Sequence, residues 1–381
     1  LSPLSATATE VNLDDISNYS DIESIEFANS FEDDASNTSP LLAGGEGLVE
    51  NGYDGGFSST TTAAFSADFM IGAVYDDDNV TVNSNDLDDN VTAGYSFQID
   101  LNTSFTGEDS LDISLDAGNS GSSGVAEFDG NSGSEALTVD GIAYTWPVTD
   151  ALTAMVGDNM DASSLFTKAC VYGGPSNTLD DCGAPNAFVT NGGVMAGVAY
   201  DFGSGFTAAV GYAGDETDVM NEEGEDDYGV NVAYTGDNYG LSLTYGLVEQ
   251  DDTPAGTTET ASEDTFVAFN AYYTPETAGF PSISFGYEVG DDGSVTTSAD
   301  SLTSIFFGFS WDEIGPGSGG FALGTRTPTV EDTDAQYMYE VYYSYPINDG
   351  MTVTPLVFIQ EQSADGVEST KGYMVKTSFS F

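Results

Sequence analysis

The chain has 381 residues, with Asp+Glu 64 against Lys+Arg 4, no His, and a formal net charge of −60. That balance excludes nucleic-acid binding, which draws its affinity from phosphate neutralisation by Lys and Arg, and the lack of His removes Ser-His-Asp and Cys-His catalysis. Self-repulsion on this scale points to a saline setting where salt or divalent cations screen it, and no stretch approaches the roughly 18 uninterrupted apolar residues of a transmembrane helix.

Residues 1–55 read as an acidic N-terminal periplasmic extension, and 56–381 as the main domain. The start, Leu1-Ser2-Pro3-Leu4, lacks a basic, greasy export signal, so an exported chain has already had its signal removed. From Thr61 onward greasy and small polar residues alternate one for one, the period of a strand whose successive side chains point to opposite faces. Phe65, Ala67, Phe69, Ile71, Ala73 and Tyr75 oppose Ala64, Ser66, Asp68, Met70, Gly72 and Val74. Val91, Ala93, Tyr95, Phe97, Ile99 and Leu101 oppose Thr92, Gly94, Ser96, Gln98, Asp100 and Asn102, and Leu111, Ile113 and Leu115 oppose Asp112, Ser114 and Asp116. The alternation breaks between Val139 and Ile142, where Gly141 suits a β-bulge.

A turn module at Tyr144 through Thr153 recurs at Tyr343 through Thr352, with looser copies at Tyr200–Phe206, Tyr234–Tyr239, Tyr273–Phe280 and Phe309–Phe321. In each, rings bracket turn-forming residues, as a hairpin needs at its closed end and as membrane barrels mark the water–lipid boundary. Short connections are expected near 106–109, 148–151, 202–205, 235–238, 274–281, 312–320 and 347–350. Long acidic connections alternate with them at 76–90, 215–227, 250–264, 290–301 and 360–370. The last segment sets Tyr373, Val375, Thr377, Phe379 and Phe381 against Gly372, Met374, Lys376, Ser378 and Ser380.

These patterns predict an all-β fold: a transmembrane antiparallel β-barrel of about sixteen strands, with short turns on one side and long loops on the other. A soluble sandwich also alternates, but its outward face usually carries Lys, Glu and Thr rather than so many Gly, Ser and Ala. The longest internal connection, 160–192, holds both cysteines. Cys170 and Cys182, with no His or further Cys available, read as a loop-stapling disulfide, two free thiols being the alternative.

Strand parity puts Asp68, Asp100, Asp112, Asp116, Glu288 and Glu340 in the lumen, and Asp161, Asp180 and Asp181 on an inward-folded constriction loop. Of the basic residues, Arg326 and Lys376 fall on the lumen side, Lys168 in the constriction loop, and Lys371 at the loop-side start of the last strand. A cation facing lipid costs about 2–4 kcal/mol at the midplane, so inward placement is energetically required. Lys168, Arg326 and Lys376, with Asp161, Asp180, Asp181 and Glu340, are the expected pore constriction. Arg326 and Lys376 either set selectivity there or pair with carboxylates such as Glu340 to brace the wall. The expected function is general passive diffusion of inorganic ions and small hydrophilic solutes across the bacterial outer membrane, with no catalysis. The competing reading is a secreted or surface-layer acidic β protein that binds divalent cations. Acidic loops also offer oxygen ligands for Ca2+ or Mg2+, through which lipid head groups, lipopolysaccharide or subunits would be bridged.

The turns Trp146-Pro147-Val148-Thr149-Asp150 and Tyr345-Pro346-Ile347-Asn348-Asp349-Gly350, the cysteine-bearing loop, and the ending Val375-Lys376-Thr377-Ser378-Phe379-Ser380-Phe381 together resemble the outer-membrane porins of cyanobacteria. The likeness is to marine picocyanobacteria in particular, within the carbohydrate-porin-like group, and spans residues 55–381. It implies a sixteen-stranded barrel, a homotrimer, and a third loop folded inward, here the Cys170–Cys182 segment. Such porins carry an N-terminal surface-layer-homology domain that grips peptidoglycan. Val11-Asn12-Leu13-Asp14-Asp15-Ile16-Ser17 looks like its beginning, but too little chain precedes the first strand for the whole domain.

Overall fold

The computed structural model describes residues 60–75, 90–121, 124–132, 135–190, 192–217, 219–220, 225–251, 261–277, 279–291, 301–362 and 369–381. The expected extension at 1–55 lies outside the described residues, as does most of each acidic connection expected at 76–90, 250–264, 290–301 and 360–370. The strands are β1 (Thr61–Tyr75), β2 (Thr92–Thr103), β3 (Ser110–Gly118), β4 (Thr138–Thr149), β5 (Leu152–Met160), β6 (Gly193–Gly203), β7 (Phe206–Gly214) and β8 (Asp226–Thr235). They continue with β9 (Tyr239–Asp251), β10 (Ala261–Tyr273), β11 (Ser282–Asp291), β12 (Leu302–Ile314), β13 (Gly317–Thr325), the two-residue β14 (Thr329–Val330), β15 (Tyr337–Asn348), β16 (Met351–Gln360) and β17 (Thr370–Ser380).

Neighbours pair antiparallel, and β1 bonds both β2 and β17, so the sheet closes on itself with sixteen long strands plus the short β14. Closure satisfies the backbone groups that an open edge would leave bare, which is the condition for strands in hydrocarbon. Phe381 extends the seam by exchanging two backbone hydrogen bonds of 3.0 Å with Phe65. Their rings stack with centroids 5.8 Å apart.

Register follows the expected faces residue by residue. Phe69 lies opposite Thr377 and Tyr95, while Asp68 lies opposite Ser378 and Ser96. Phe69, Ile71, Leu243, Val341 and Tyr373 are exposed on the outer wall. Such rows would aggregate in water and are solvated by acyl chains. Ring pairs mark the turn side, among them Phe206–Tyr234 across β7 and β8 at 4.7 Å and Tyr144–Trp146 along β4 at 5.4 Å. The predicted bulge is present: Ser114 pairs with Gly141 and Leu115 with Val139, which leaves Asp140 as the extra residue.

Two boundaries differ from the sequence expectation. The span 312–320 is strand rather than turn except at Gly315 and Pro316, where Gly315 takes a φ of +65° that only glycine adopts without strain. The connection expected at 250–264 is shorter, because β9 and β10 keep pairing through the acidic positions, with Glu249 opposite Glu263. Acidic composition marks the loop side but does not stop a strand from pairing.

At the turn side Asp109 shows how a hairpin end is fixed. It accepts from the Thr106 N–H at 2.7 Å, the Phe105 N–H at 3.0 Å and the Tyr144 hydroxyl at 2.6 Å. The Tyr144 hydroxyl, aided by Thr106 and Ser104, holds this carboxyl well below the usual range despite the opposing effect of burial.

The lumen is partly filled by two inward connections. The β5–β6 connection supplies Ala162, Tyr172, Leu179, Phe188 and Val189 to buried clusters with wall residues such as Phe306, Met338 and Phe266. The β3–β4 connection supplies Val125 and Phe128, both 0% exposed, against Met70, Val74 and Met374. A Cβ on Gly211 would overlap the backbone of Ala162, one on Gly286 the carbonyl of Cys182, and one on Gly246 would lie 2.8 Å from the Ala187 oxygen. Along these strands glycine gives the constriction loop room to lie against the wall.

Candidate functional site

The constriction loop is held by an ordered series of hydrogen bonds as it crosses the wall. Backbone N–H groups of Thr167, Ala169 and Val171 donate to Asn231 Oδ1 on β8, Ser242 Oγ on β9 and Ser284 Oγ on β11, each at 3.0 Å. The two-residue step is that of an extended chain, so alternate N–H groups reach β8, β9 and then, past β10, β11. Cys170 and Cys182 are joined by a disulfide. On the return path Asn270 Nδ2 donates to the Cys182 carbonyl at 2.9 Å.

Glu288 and Glu340 face inward, as parity requires, but the loop covers them and each is 2% exposed. The lumenal side expected for them is thus occupied by the loop and not by open solvent. Glu288 accepts from the N–H groups of Asn186 and Ala187, at 3.1 and 2.7 Å, and from Asn186 Nδ2 at 2.8 Å. Glu340 accepts from the Tyr172 hydroxyl at 2.5 Å. Period-two alternation tells which way a side chain points, but not what lies on top of it.

Sequence reasoning missed Glu127. Its carbonyl accepts from the Asn177 N–H at 2.9 Å, and its carboxylate from the Thr178 N–H and from Gln360 Nε2, both at 3.0 Å. One residue of the β3–β4 connection thus ties the constriction loop to β16. The only signal in the sequence is an acidic residue between the apolar Val125 and Phe128 in an otherwise polar connection.

The wall that stays accessible is the lumenal side of β1–β4. Asp68 and Asp116 are partly exposed there, and Asp100 and Asp112 are exposed. Gln98 Nε2 and Ser114 Oγ donate to Asp100 at 2.8 and 3.0 Å, Ser110 Oγ donates to Asp112 at 2.6 Å, and Thr138 Oγ1 donates to Asp116 at 3.1 Å. These neutral donors orient the carboxylates without cancelling their charge.

The loop faces this wall with more carboxylates. A cleft of about 570 Å³ is lined by Asp112, the bulge residue Asp140, and Asp161. Burial, then the charge of Asp140, pushes the Asp161 carboxyl above its ordinary range. Asp180 is exposed, with protein groups crowding part of its carboxyl. That desolvation, followed by Asp181 and by Asp129 of the β3–β4 connection, pushes its carboxyl up to about 7. Lys168 Nζ lies 3.7 Å from Asp181 Oδ1 and 4.6 Å from the centre of the Phe188 ring.

The other expected basic residues are not gathered at this point. Lys376 Nζ sits 5.5 Å from the centre of the Phe128 ring. Arg326 Nη1 donates to Gln362 Oε1 at 2.9 Å and to the Glu361 carbonyl at 3.3 Å. Neither is bonded to Glu340, so the bracing pair considered from the sequence does not form. The loop carboxyl of Asp180 gives a direct test. As pH rises from about 6 to about 8, Asp180 gains its charge and cation preference should increase. Reversal potentials that change equally with pH in Asp180→Asn would contradict that assignment.

No family model matches the chain, and no curated protein does. Solved structures do match. Pseudomonas putida OprB aligns with a TM-score of 0.59 at 12% identity, over 84% of this chain and 94% of that one. Vibrio cholerae OmpT lacking its loop L8 aligns with a TM-score of 0.55 at 11% identity, over 84% and 100%. A substituted Rh. blastica porin aligns with a TM-score of 0.51 at 15% identity, over the same shares of the two chains. Likeness at such identities is a likeness of fold, and it agrees with the closed sheet and the lipid-facing rows. The chain is a porin-like β-barrel of the bacterial outer-membrane type.

Proposed function

We propose that the barrel is a passive diffusion channel of the bacterial outer membrane, passing inorganic ions and small hydrophilic solutes and favouring cations. The observation that supports this most is the distribution of charge about the accessible lumen. Asp100, Asp112, Asp116 and Asp140 stand on the wall, Asp161 and Asp180 on the facing loop, and the nearby Lys168 is engaged by Asp181. Charges of one sign between low-dielectric walls raise the local concentration of counter-ions. No covalent chemistry is assigned to the chain.

The sequence resemblance extends the proposal to a homotrimer of the cyanobacterial, carbohydrate-porin-like group, and the oxygen-rich acidic loops extend it to Ca2+ or Mg2+ bridging toward lipopolysaccharide. Among the described residues no group of three acidic side chains converges as metal ligands. Proteoliposomes carrying the folded chain should swell in isotonic solutions of small neutral solutes, with rates falling as solute size increases. Absence of swelling, from protein whose gel migration changes on boiling as a folded barrel's does, would remove the channel assignment.

A further inference from the structure

We propose that a cavity of about 200 Å³ between the constriction loop and strands β12 and β13 is a binding site for a small free oxyanion, held by Arg326 and Ser304. The inference rests on the channel reading and adds a solute class to it. Arg326 lines the cavity together with Ser304, Thr325, Thr327, Asn177 and Asp181.

Among the described residues no carboxylate pairs with Arg326, although the chain has 64 acidic residues against 4 basic ones. Its Nη1 is taken by the neutral acceptors Gln362 Oε1 and the Glu361 carbonyl, which fix the side chain while leaving its charge uncancelled. The guanidinium has five N–H donors in a rigid fork, so Nε and Nη2 remain to meet a planar or tetrahedral oxyanion through paired bonds.

Ser304 supplies an independent indication. It is 2% exposed, and its Oγ has no hydrogen-bond partner among the described residues. A buried hydroxyl without a partner costs about 1–3 kcal/mol, and a ligand in the cavity that it lines would relieve that cost. Thr325 Oγ1 already accepts from the Ile305 N–H at 3.2 Å, which leaves its own O–H to donate elsewhere. The acceptor-only member of the lining is Asp181, and Lys168 lies 3.7 Å from it. Beside the apolar Leu179, Pro185, Ile305, Phe306 and Pro328, the polar part of the lining is mostly donors with one uncancelled cation, which disfavours a metal ion. The position between loop and inner wall favours a free solute over a lipid headgroup.

The test is calorimetric titration of the full-length, detergent-solubilised barrel with inorganic phosphate at constant ionic strength. Saturable binding that weakens about tenfold in Arg326→Gln, and less in Arg326→Lys and Ser304→Ala, is the expected result. No binding, or binding unchanged in Arg326→Gln, would overturn the site. Short-chain phosphatidylglycerol at the same concentration should not displace phosphate, and displacement would overturn the assignment to a free solute. Heat-modifiable migration checks that each variant is folded. Conductance in KCl, recorded in parallel, reports on the channel reading alone, so a barrel that conducts without binding phosphate refutes only the site.

Discussion

Replacing Gly286 with Val lifts the constriction loop from the wall and raises single-channel conductance, while the barrel itself still closes. The reason is where the new side chain would go. A Cβ at Gly286 overlaps the Cys182 carbonyl, and one at Gly211 overlaps the Ala162 backbone. These are backbone atoms with no rotamer to change, so the loop must move. Overpacking of this kind costs about 1–3 kcal/mol per site and occasionally more. The strain falls on the contact between loop and wall, because Gly286 keeps its backbone pairing with Asn270 and Phe306. The double variant Gly211→Val with Gly286→Val should show the larger conductance. Gly173→Ala, with nothing within 4 Å of the added Cβ, should behave as the unaltered chain. Unchanged conductance in the double variant, with folding intact, would mean that the loop does not limit the passage.

Removing positive charge should shift ion preference further toward cations, and unequally. Lys168→Ala is expected to give the largest change of the three available substitutions, since Lys168 alone stands beside the loop carboxylates, 3.7 Å from Asp181. Arg326→Ala and Lys376→Ala should each contribute less, because Arg326 bonds Gln362 and Glu361 while Lys376 lies over Phe128. Across a tenfold KCl gradient the limit for a perfectly cation-selective pore is about 59 mV. The triple variant should approach that limit more closely than the unaltered chain. Asp140→Asn combined with Asp161→Asn should move the reversal potential toward zero, because these residues line one cleft from opposite sides. If Lys376→Ala has the dominant effect instead, the assignment of the acidic loop and wall as the selective region is wrong.

Much of the wall was legible because membrane barrels impose a strict period of two. Lipid on one side and protein or water on the other left Phe69, Ile71 and Tyr373 on a common outer face, and the register agrees. The bulge at Asp140 was also legible, since a single glycine breaks an otherwise regular alternation. Boundaries at 250–264 and 312–320 were not, because backbone pairing continues through residues whose composition suggests a turn.

The interior was harder to read for a different reason. Glu288 and Asp112 obey the same parity, yet the first is 2% exposed and the second faces open lumen. What separates them is a loop folded over one and not over the other, and a strand's own periodicity carries no record of that. Glu127 illustrates the same limit, because its partners Thr178 and Gln360 are distant in sequence and meet only when two loops fold inward.

Conduction through this barrel requires a continuous aqueous passage between the constriction loop and the wall of β1–β4. Single-channel recording of the unaltered, detergent-purified chain in a planar bilayer tests it most directly. Discrete conductance steps, with a reversal potential of the cation-selective sign in asymmetric KCl, are the predicted result. A bilayer that stays electrically silent with heat-modifiable, folded protein inserted would contradict it.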